Sequence, residues 1–232
     1  MMKYNDSFKN FIAESIYFKK MEEFVADTKD ICPLKENVFR FLKCDINNTK
    51  CIILGMDPYT ATYDSNEGKL PVATGRAFEV ANIDFWTDKY KQVSLSNIFK
   101  TLCYLKFDKI YSMEDLRHFI NKDNFRYINI HDWFDAMENS GVIFLNATLT
   151  SLIGKTGAHI NIWKDFMDEL FRYIIRVNNG IKWLIWGNSA LKRVDGIVDK
   201  KNIIYTCHPA TRNNNTFIQD CCFKYVDSIE WV

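Results

Sequence analysis

The sequence predicts an α/β fold, a three-layer α/β/α sandwich with a central, mainly parallel four-stranded sheet. Four short apolar runs are nearly continuous rather than alternating, which is typical of strands covered on both faces. Segments with helical character lie before and between them, and strands that alternate with helices build layers of this kind. The four runs lie at Cys51–Gly55, 141–146, 182–187 and 202–208.

Three segments predict helices that cover the sheet. Residues 161–176 place large apolar side chains at i, i+4 and i+8, which gives one continuous stripe. Residues 94–104 predict a shorter helix, for which Ser94 or Ser96 is the expected N-cap. Residues 8–26 predict a third, amphipathic helix near the start of the chain.

Length and composition indicate one globular domain. The chain has 232 residues, of which 47% are hydrophobic and 25% charged, and its formal net charge is +1. No Gly/Ser-rich stretch or internal repeat divides it, so we expect one domain over 1–232 with an N-terminal helical segment at 1–30. Near-neutrality excludes a histone-like partner, but it does not exclude nucleic acid, because charge can be concentrated on one face.

The cysteines and the lengths of the apolar runs indicate the cellular compartment of the protein. The seven cysteines are odd in number and form no C-x-x-C pair, so we expect reduced thiols and no metal site. No apolar run approaches the ~18–20 residues of a membrane span, and the first residues lack a signal-peptide core. We therefore expect a cytoplasmic protein with no membrane partner.

Polar residues follow the predicted strands. The first strand runs into Met56 and Asp57, the second ends at Asn146, and the fourth ends at His208. Because ligands bind at the carboxyl ends of parallel strands, a carboxylate, a carboxamide and an imidazole are expected at one edge of the sheet. Each also has a structural interpretation: Asp57 as a turn residue, Asn146 as a cap, and His208 as a hydrogen-bonded structural side chain.

Several of these residues stand in motifs that resemble those of uracil-DNA glycosylases. The segment GMDPY at 55–59 resembles the water-activating motif GQDPYH, and GVIFLNATLT at 141–150 resembles the strand motif LLNTxLT. Matching segments occur in order from about Cys32 to Trp231. The others are GRAF at 75–78, SLSN at 94–97, WG followed by Ala190, HP at 208–209 and IEW at 229–231. The chain resembles the branch with the GQDPYH-type motif, with divergent loop motifs.

The resemblance implies a glycosidase of base-excision DNA repair that hydrolyses the N-glycosidic bond of uracil and leaves an abasic site. No metal or cofactor is implied. The base must first flip out of the stack. The implied catalytic residues are Asp57, which orients the water and balances the sugar cation, and His208, which donates a hydrogen bond to the uracil anion.

The resemblance also implies a uracil pocket. Asn146 would read O4 and N3–H of the base, Phe78 would stack on it, and Tyr59 would exclude the methyl group of thymine. Met56 would act through its backbone N–H. The implied DNA contacts are Ser94, Ser189, Ala210 and Arg212.

The motifs also depart from the family pattern. Met56 replaces the usual Gln, Thr60 replaces the His after Tyr59, and the segment 61–74 is longer and carries acidic residues. The sequence HPATR replaces HPSPL, so the wedge-like Leu is absent and Arg212 stands in that loop. Arg212 could fill the vacated stack, bind a phosphate or belong to a flexible loop. We expect the chemistry to persist and single-stranded DNA to be favoured.

Two alternatives stay open. One is a catalytically weak or inactive module on the same fold that binds DNA or protein, for example in a virus or mobile element. The other is a glycosylase for another modified base. The expected partner is uracil-containing DNA, single- or double-stranded. A DNA-mimicking inhibitor protein is a further candidate partner. The chain is expected to be monomeric. A cationic rim is expected from Lys155, Lys192, Arg193 and Arg212, with acidic residues on the opposite face.

Overall fold

The predicted strands form a central sheet between helices. The computed structural model describes residues 3–211 and 214–232. Its strands are β1 (Ile31–Cys32), β2 (Cys51–Gly55), β3 (Thr62–Ser65), β4 (Gly68–Pro71), β5 (Val142–Asn146), β6 (Ser151–Leu152), β7 (Lys182–Trp186) and β8 (Ile203–Thr206). Its α-helices are α1 (Lys9–Glu14), α2 (Phe18–Asp27), α3 (Val93–Phe107), α4 (Met113–Phe119), α5 (Ile130–Asn139), α6 (Ile160–Val177), α7 (Asn188–Val194) and α8 (Asn214–Asp220). Short 3-10 helices span Asp6–Phe8, Lys35–Asn37, Arg40–Lys43, Ile46–Asn48, Lys200–Asn202 and Cys222–Tyr225.

The four main strands pair in the order β5-β2-β7-β8, and every pair is parallel. Gly55 at the end of β2 lies opposite Asn146 at the end of β5, and Trp186 lies opposite Thr206. The predicted fold class is therefore confirmed. The register brings the carboxyl ends of all four strands to the same edge of the sheet.

Apolar side chains cover both faces of this sheet, which explains why the strand runs are nearly continuous. Ile52 and Leu54 point into a core shared with α6, whereas Cys51 and Ile53 point into a core shared with α3 and α5. All four are at most 1% exposed. Burying a Leu or Ile side chain contributes about 1.5–3 kcal/mol, so these strands stabilise the scaffold on which the site is built.

The helix expected at 8–26 is interrupted, and that prediction was wrong. The helix α1 ends at Ser15, whose backbone is extended. The Ser15 hydroxyl accepts hydrogen bonds from the backbone N–H groups of Tyr17 and Phe18, at 3.2 and 3.0 Å, before α2 begins. A serine that satisfies nearby N–H groups competes with helical bonding, and hydrophobic periodicity cannot reveal this.

The long segment 61–74 contains a β-hairpin outside the central sheet. The strands β3 and β4 are antiparallel, with Asp64 opposite Lys69. The Val72 N–H donates to the Ala61 carbonyl at 2.9 Å, which closes the base of the hairpin beside the end of β2.

Within residues 3–211 and 214–232, no helix has the length and apolar character needed to cross a bilayer. The seven cysteines are all free thiols. The assignment of the chain to one domain, with 1–30 as an N-terminal segment, stays a prediction.

Candidate active site

A cavity of about 370 Å³ opens at the carboxyl edge of the sheet. It brings together seven of the residues assigned to catalysis, base binding or DNA binding, namely Met56, Asp57, Tyr59, Phe78, Ser94, Asn146 and His208. A wider depression of about 860 Å³ beside the edge strand β8 contains none of the side chains assigned to catalysis. The smaller cavity is therefore the candidate site.

Asp57 lies two residues beyond β2. The carbonyl groups of Gly55 and Met56 accept hydrogen bonds from the N–H groups of Ala147 and Thr148, both at 2.9 Å, so pairing with the β5 side continues past the strand. The carboxyl is half-buried, and no described residue hydrogen-bonds its buried Oδ1. Burial raises the pKa of Asp57, and a hydrogen bond from the Thr148 hydroxyl opposes that rise. A buried carboxylate oxygen without a protein partner is suited to accept from a water molecule.

His208 follows β8 by two residues. Its Nδ1 accepts a hydrogen bond from the backbone N–H of Ala210, at 3.1 Å. Because that backbone group can only donate, Nδ1 is unprotonated and Nε2 carries the proton of the neutral ring. Burial lowers the pKa of His208 from its ordinary value of 6.5, which favours this neutral form. The side chain is therefore a neutral donor at the wall of the cavity.

Two residues to which the sequence motifs assign no role position the His208 loop. The buried carboxamide of Asn97, in α3, donates to the Pro209 carbonyl at 2.5 Å. Gly187 follows β7 with a φ of +89°, and a Cβ there would lie 2.9 Å from the Cβ of His208. The loop thus passes too close to Gly187 for any side chain.

Asn146 is the last residue of β5 and is 4% exposed. A Cβ at Gly55, its partner across the ladder, would overlap Oδ1 of Asn146 and lie 2.9 Å from the Cβ of Ala77. Only a glycine at position 55 leaves the carboxamide its present place. The strand pairing therefore places the carboxamide of Asn146 directly against Gly55.

Two aromatic side chains line the cavity. Phe78 has a φ of +69°, an uncommon conformation for a bulky residue, and its ring lies 4.8 Å from that of Trp186. Tyr59 is half-buried, and burial raises the pKa of its hydroxyl group. Met56 also lines the cavity, and it packs against the core of the α6 side.

The residues assigned to DNA contacts are placed differently from one another. Ser94 lines the cavity in the first turn of α3, which begins at Val93. Gln92 occupies the N-cap without a side-chain bond, so the expected serine cap was wrong. Ser189 and Ala210 are exposed and do not line the cavity. Arg212 lies outside the described residues.

Of the described residues expected in the cationic rim, Lys155 and Lys192 are exposed, whereas Arg193 is bound to other residues. Arg193 forms an ion pair with Asp168 and donates to the Lys164 carbonyl at 2.9 Å, so this arginine is engaged with α6. Among the described residues, no group of three or more His, Cys, Asp or Glu side chains could hold a metal ion.

Known proteins resemble this chain over most of its length. No protein-family model matches the chain. A uracil-DNA glycosylase of Francisella tularensis subsp. holarctica is 29% identical over 93% of this chain and 92% of its own length. The human uracil-DNA glycosylase is 28% identical over 84% of this chain and 54% of its own length.

Solved structures share the fold. The UNG of Nitratifractor salsuginis matches with a TM-score of 0.74 and 17% identity, over 97% of this chain and 91% of that one. A variant of mimivirus UNG in complex with UGI matches with a TM-score of 0.66 and 21% identity, over 90% and 71% of the two chains.

The parallel sheet and the polar cavity at its carboxyl edge define an α/β protein whose ligand site lies at the ends of its strands. The chain is a member of the uracil-DNA glycosylase superfamily.

Proposed function

We propose that this protein hydrolyses the N-glycosidic bond of uracil in DNA and leaves an abasic site. The observation that carries the proposal is that one cavity contains the Asp57 carboxylate, the Asn146 carboxamide and the neutral His208 imidazole. These groups supply a water acceptor, a base reader and a donor for the departing base. We also propose that the protein belongs to the branch of the uracil-DNA glycosylase superfamily that has the GQDPYH-type motif.

Asn146 accounts for base selection. Its carboxamide offers one donor and one acceptor in a plane, which matches O4 and N3–H of uracil. Cytosine presents an amino group and an unprotonated N3 instead, so it would leave buried polar groups unpaired. Because Asn146 is 4% exposed and confined by Gly55, it cannot easily turn to suit the other base.

Phe78 and Tyr59 complete the base pocket. The Phe78 ring would stack on the flipped base, a contact worth about 1–3 kcal/mol for aromatic side chains. Tyr59 would lie against C5 and leave no space for the methyl group of thymine. Met56 would donate its backbone N–H to the base.

Cleavage breaks the bond between C1′ and N1, and the bonding electrons leave with the base. The charge that develops on O2 of uracil is stabilised by the Nε2–H of His208. The positive charge on the sugar is balanced by the Asp57 carboxylate, which also orients the water that adds to C1′. The water loses a proton to that carboxylate, and the uracil anion takes a proton from solvent.

DNA delivery relies on the surroundings of the cavity. The N-terminus of α3, with Ser94 in its first turn, is suited to bind a phosphate beside the flipped nucleotide. The described part of the His208 loop, Pro209 to Thr211, carries no large apolar side chain that could wedge into a duplex. We therefore propose that uracil in single-stranded DNA is the better substrate.

Three further properties are proposed. Because mimivirus UNG was solved in complex with UGI, we propose that UGI competes with DNA at this cavity. We also propose that the protein is a monomer and that it acts in the cytoplasm.

An oligonucleotide assay tests the proposed activity. Labelled single-stranded and duplex oligonucleotides, each with one uracil, are incubated with protein and cleaved by alkali at abasic sites. We expect cleavage at uracil, faster in the single strand, and no cleavage at thymine. Binding without abasic sites would favour the inactive module, and preferential cleavage at an oxidised or alkylated base would favour another glycosylase.

A further inference from the structure

The segment that carries Phe78 has an unusual backbone. Gly75 has a φ of +93° and Phe78 a φ of +69°, so two left-handed residues lie within four positions. A left-handed conformation of a bulky residue costs free energy and persists only where the surroundings hold it. At Gly75 no side chain is possible, because a Cβ would collide with the Asn37 carbonyl.

Arg76 is the side chain that holds this segment. It is 3% exposed and pairs with Glu79 at 3.0 Å, so the bond closes the turn that has Ala77 and Phe78 inside it. The same guanidinium pairs with Asp135 and Glu138 of α5. Charge-assisted bonds from a planar guanidinium fix direction as well as distance, which suits a group that must set the geometry of a loop.

Glu79 is held from three sides. It is 2% exposed, and in addition to Arg76 it accepts from the Thr74 hydroxyl at 2.5 Å and contacts Nδ1 of His131 at 3.0 Å. The ion pairs and hydrogen bonds lower the pKa of Glu79 although burial alone would raise it. Glu79 is therefore ionised at neutral pH, and its carboxylate is bound by Arg76, Thr74 and His131.

The ion pairs connect the stacking residue to the base-reading strand. The helix α5, which carries Asp135 and Glu138, leads into β5, at whose end Asn146 lies. Inside the turn, Ala77 donates its N–H to the Phe144 carbonyl in β5 at 3.3 Å. Arg76 thus ties the segment that carries Phe78 to α5, and through α5 to the strand that ends in Asn146.

We propose that Arg76 is a positioning residue for base binding, which sets the Phe78 ring parallel to the base that Asn146 reads. The proposal rests on the proposed function. A buried ion pair adds little net stability compared with apolar packing, so its presence under this turn fits a geometric role. Arg76 itself does not line the cavity and touches no reacting atom.

A double-mutant cycle tests this role. Arg76→Met is expected to lower kcat/KM for uracil excision about tenfold, because misplacing the ring costs much of one base-stacking contact. In the Phe78→Ala background the same change should cost less than about twofold, since the ring on which Arg76 acts is gone. Equal losses in both backgrounds would overturn the proposal.

The control is Arg117, a partly buried arginine. Arg117 of α4 donates to the carbonyl groups of Thr87 and Asp88, at 3.1 and 3.3 Å, away from the cavity. Arg117→Met should lower the melting temperature and leave kcat/KM unchanged. Arg76→Lys and Glu79→Gln are the milder variants if Arg76→Met does not fold, and each should give an intermediate loss of kcat/KM. A loss of stability with unchanged kcat/KM in both would also overturn the proposal.

Amide hydrogen exchange separates this proposal from the proposed function. In the Arg76 and Glu79 variants, exchange of residues 75–80 should accelerate about tenfold or more, while exchange of α7 stays as in the parent. Unchanged exchange at 75–80 would contradict the anchoring role. This measurement decides whether Arg76 anchors the Phe78 segment even if the parent protein releases no uracil, whereas the double-mutant cycle decides its role in base binding.

Discussion

The backbone N–H of Ala210 donates a hydrogen bond to Nδ1 of His208 across 3.1 Å, and this one contact determines which ring nitrogen carries a proton. Because Nδ1 is the acceptor, Nε2–H is the donor available to a substrate. A neutral donor is suited to a base that leaves as an anion. Its N–H stabilises the developing charge by a hydrogen bond, and no proton has to be transferred to the base.

The His208 ring should titrate below its ordinary pKa of 6.5, because burial penalises the charged form. Nitrogen NMR at neutral pH should find Nδ1 unprotonated and Nε2 protonated. A pKa above 6.5 or the opposite tautomer would contradict this assignment.

Replacement of His208 by Ala should lower kcat about 100-fold or more, the usual cost of removing one donor to a developing oxyanion. The exposed His118 in α4 offers the matched control, and His118→Ala should leave kcat unchanged. Equal effects of the two substitutions would remove His208 from the mechanism.

Asp57→Asn should separate activity from stability. Burial raises the folded-state pKa of Asp57 from 3.8, so at pH 7 the ionised carboxylate destabilises the folded state. The amide variant should therefore melt at a higher temperature than the parent at pH 7. The difference should shrink as the pH falls through the folded-state pKa and vanish below 3.8, where the parent is protonated in both states. A variant that is less stable at pH 7 would show that the carboxylate is stabilised instead.

Gly55→Ala should displace the carboxamide of Asn146, because the new Cβ overlaps Oδ1. Misplacement of a binding group by about 1 Å can cost about 100-fold in rate, and we expect a loss of kcat/KM of that order. Gly180→Ala is the matched control, since its Cβ meets only Asn178 Oδ1 at 3.5 Å, an ordinary contact. Similar activities of the two variants would contradict the steric account of Gly55.

Much of the fold follows from local pattern, whereas several contacts that shape the site do not. The run Cys51–Gly55 predicts a buried strand because its successive side chains, which point to opposite faces of a sheet, are all apolar or small. The structure has that strand with the same bounds. Asp57, Asn146 and His208 end or follow three of the four predicted strands, and the structure has all three side chains at one cavity. The break at Ser15 was missed because it depends on a side chain that bonds its own backbone.

Contacts between distant parts of the chain also escape a sequence pattern. Asn97 and Pro209 are 112 residues apart, and no periodicity connects them. In the sequence, Arg76 is only one position of the GRAF segment at 75–78, and its three carboxylate partners come from its own turn and from α5. Such roles depend on which surfaces the fold brings together.

Duplex activity should improve when an apolar wedge is restored. Arg212→Leu places an apolar side chain in the loop that follows His208, where the family motif HPSPL has one. Because such a side chain repays part of the cost of unstacking, the ratio of duplex to single-strand rates should rise about tenfold. An unchanged ratio would show that the missing wedge does not limit activity on duplex DNA.

Release of free uracil from a single-stranded oligonucleotide, followed by chromatography under single-turnover conditions, tests the central claim most directly. The parent protein should release one uracil per oligonucleotide, and Asp57→Asn, folded and at least as stable at pH 7, should be slower by about 100-fold or more. Absence of uracil release by the parent, or an equal rate for Asp57→Asn, would contradict the assignment of this cavity as a uracil-excising active site.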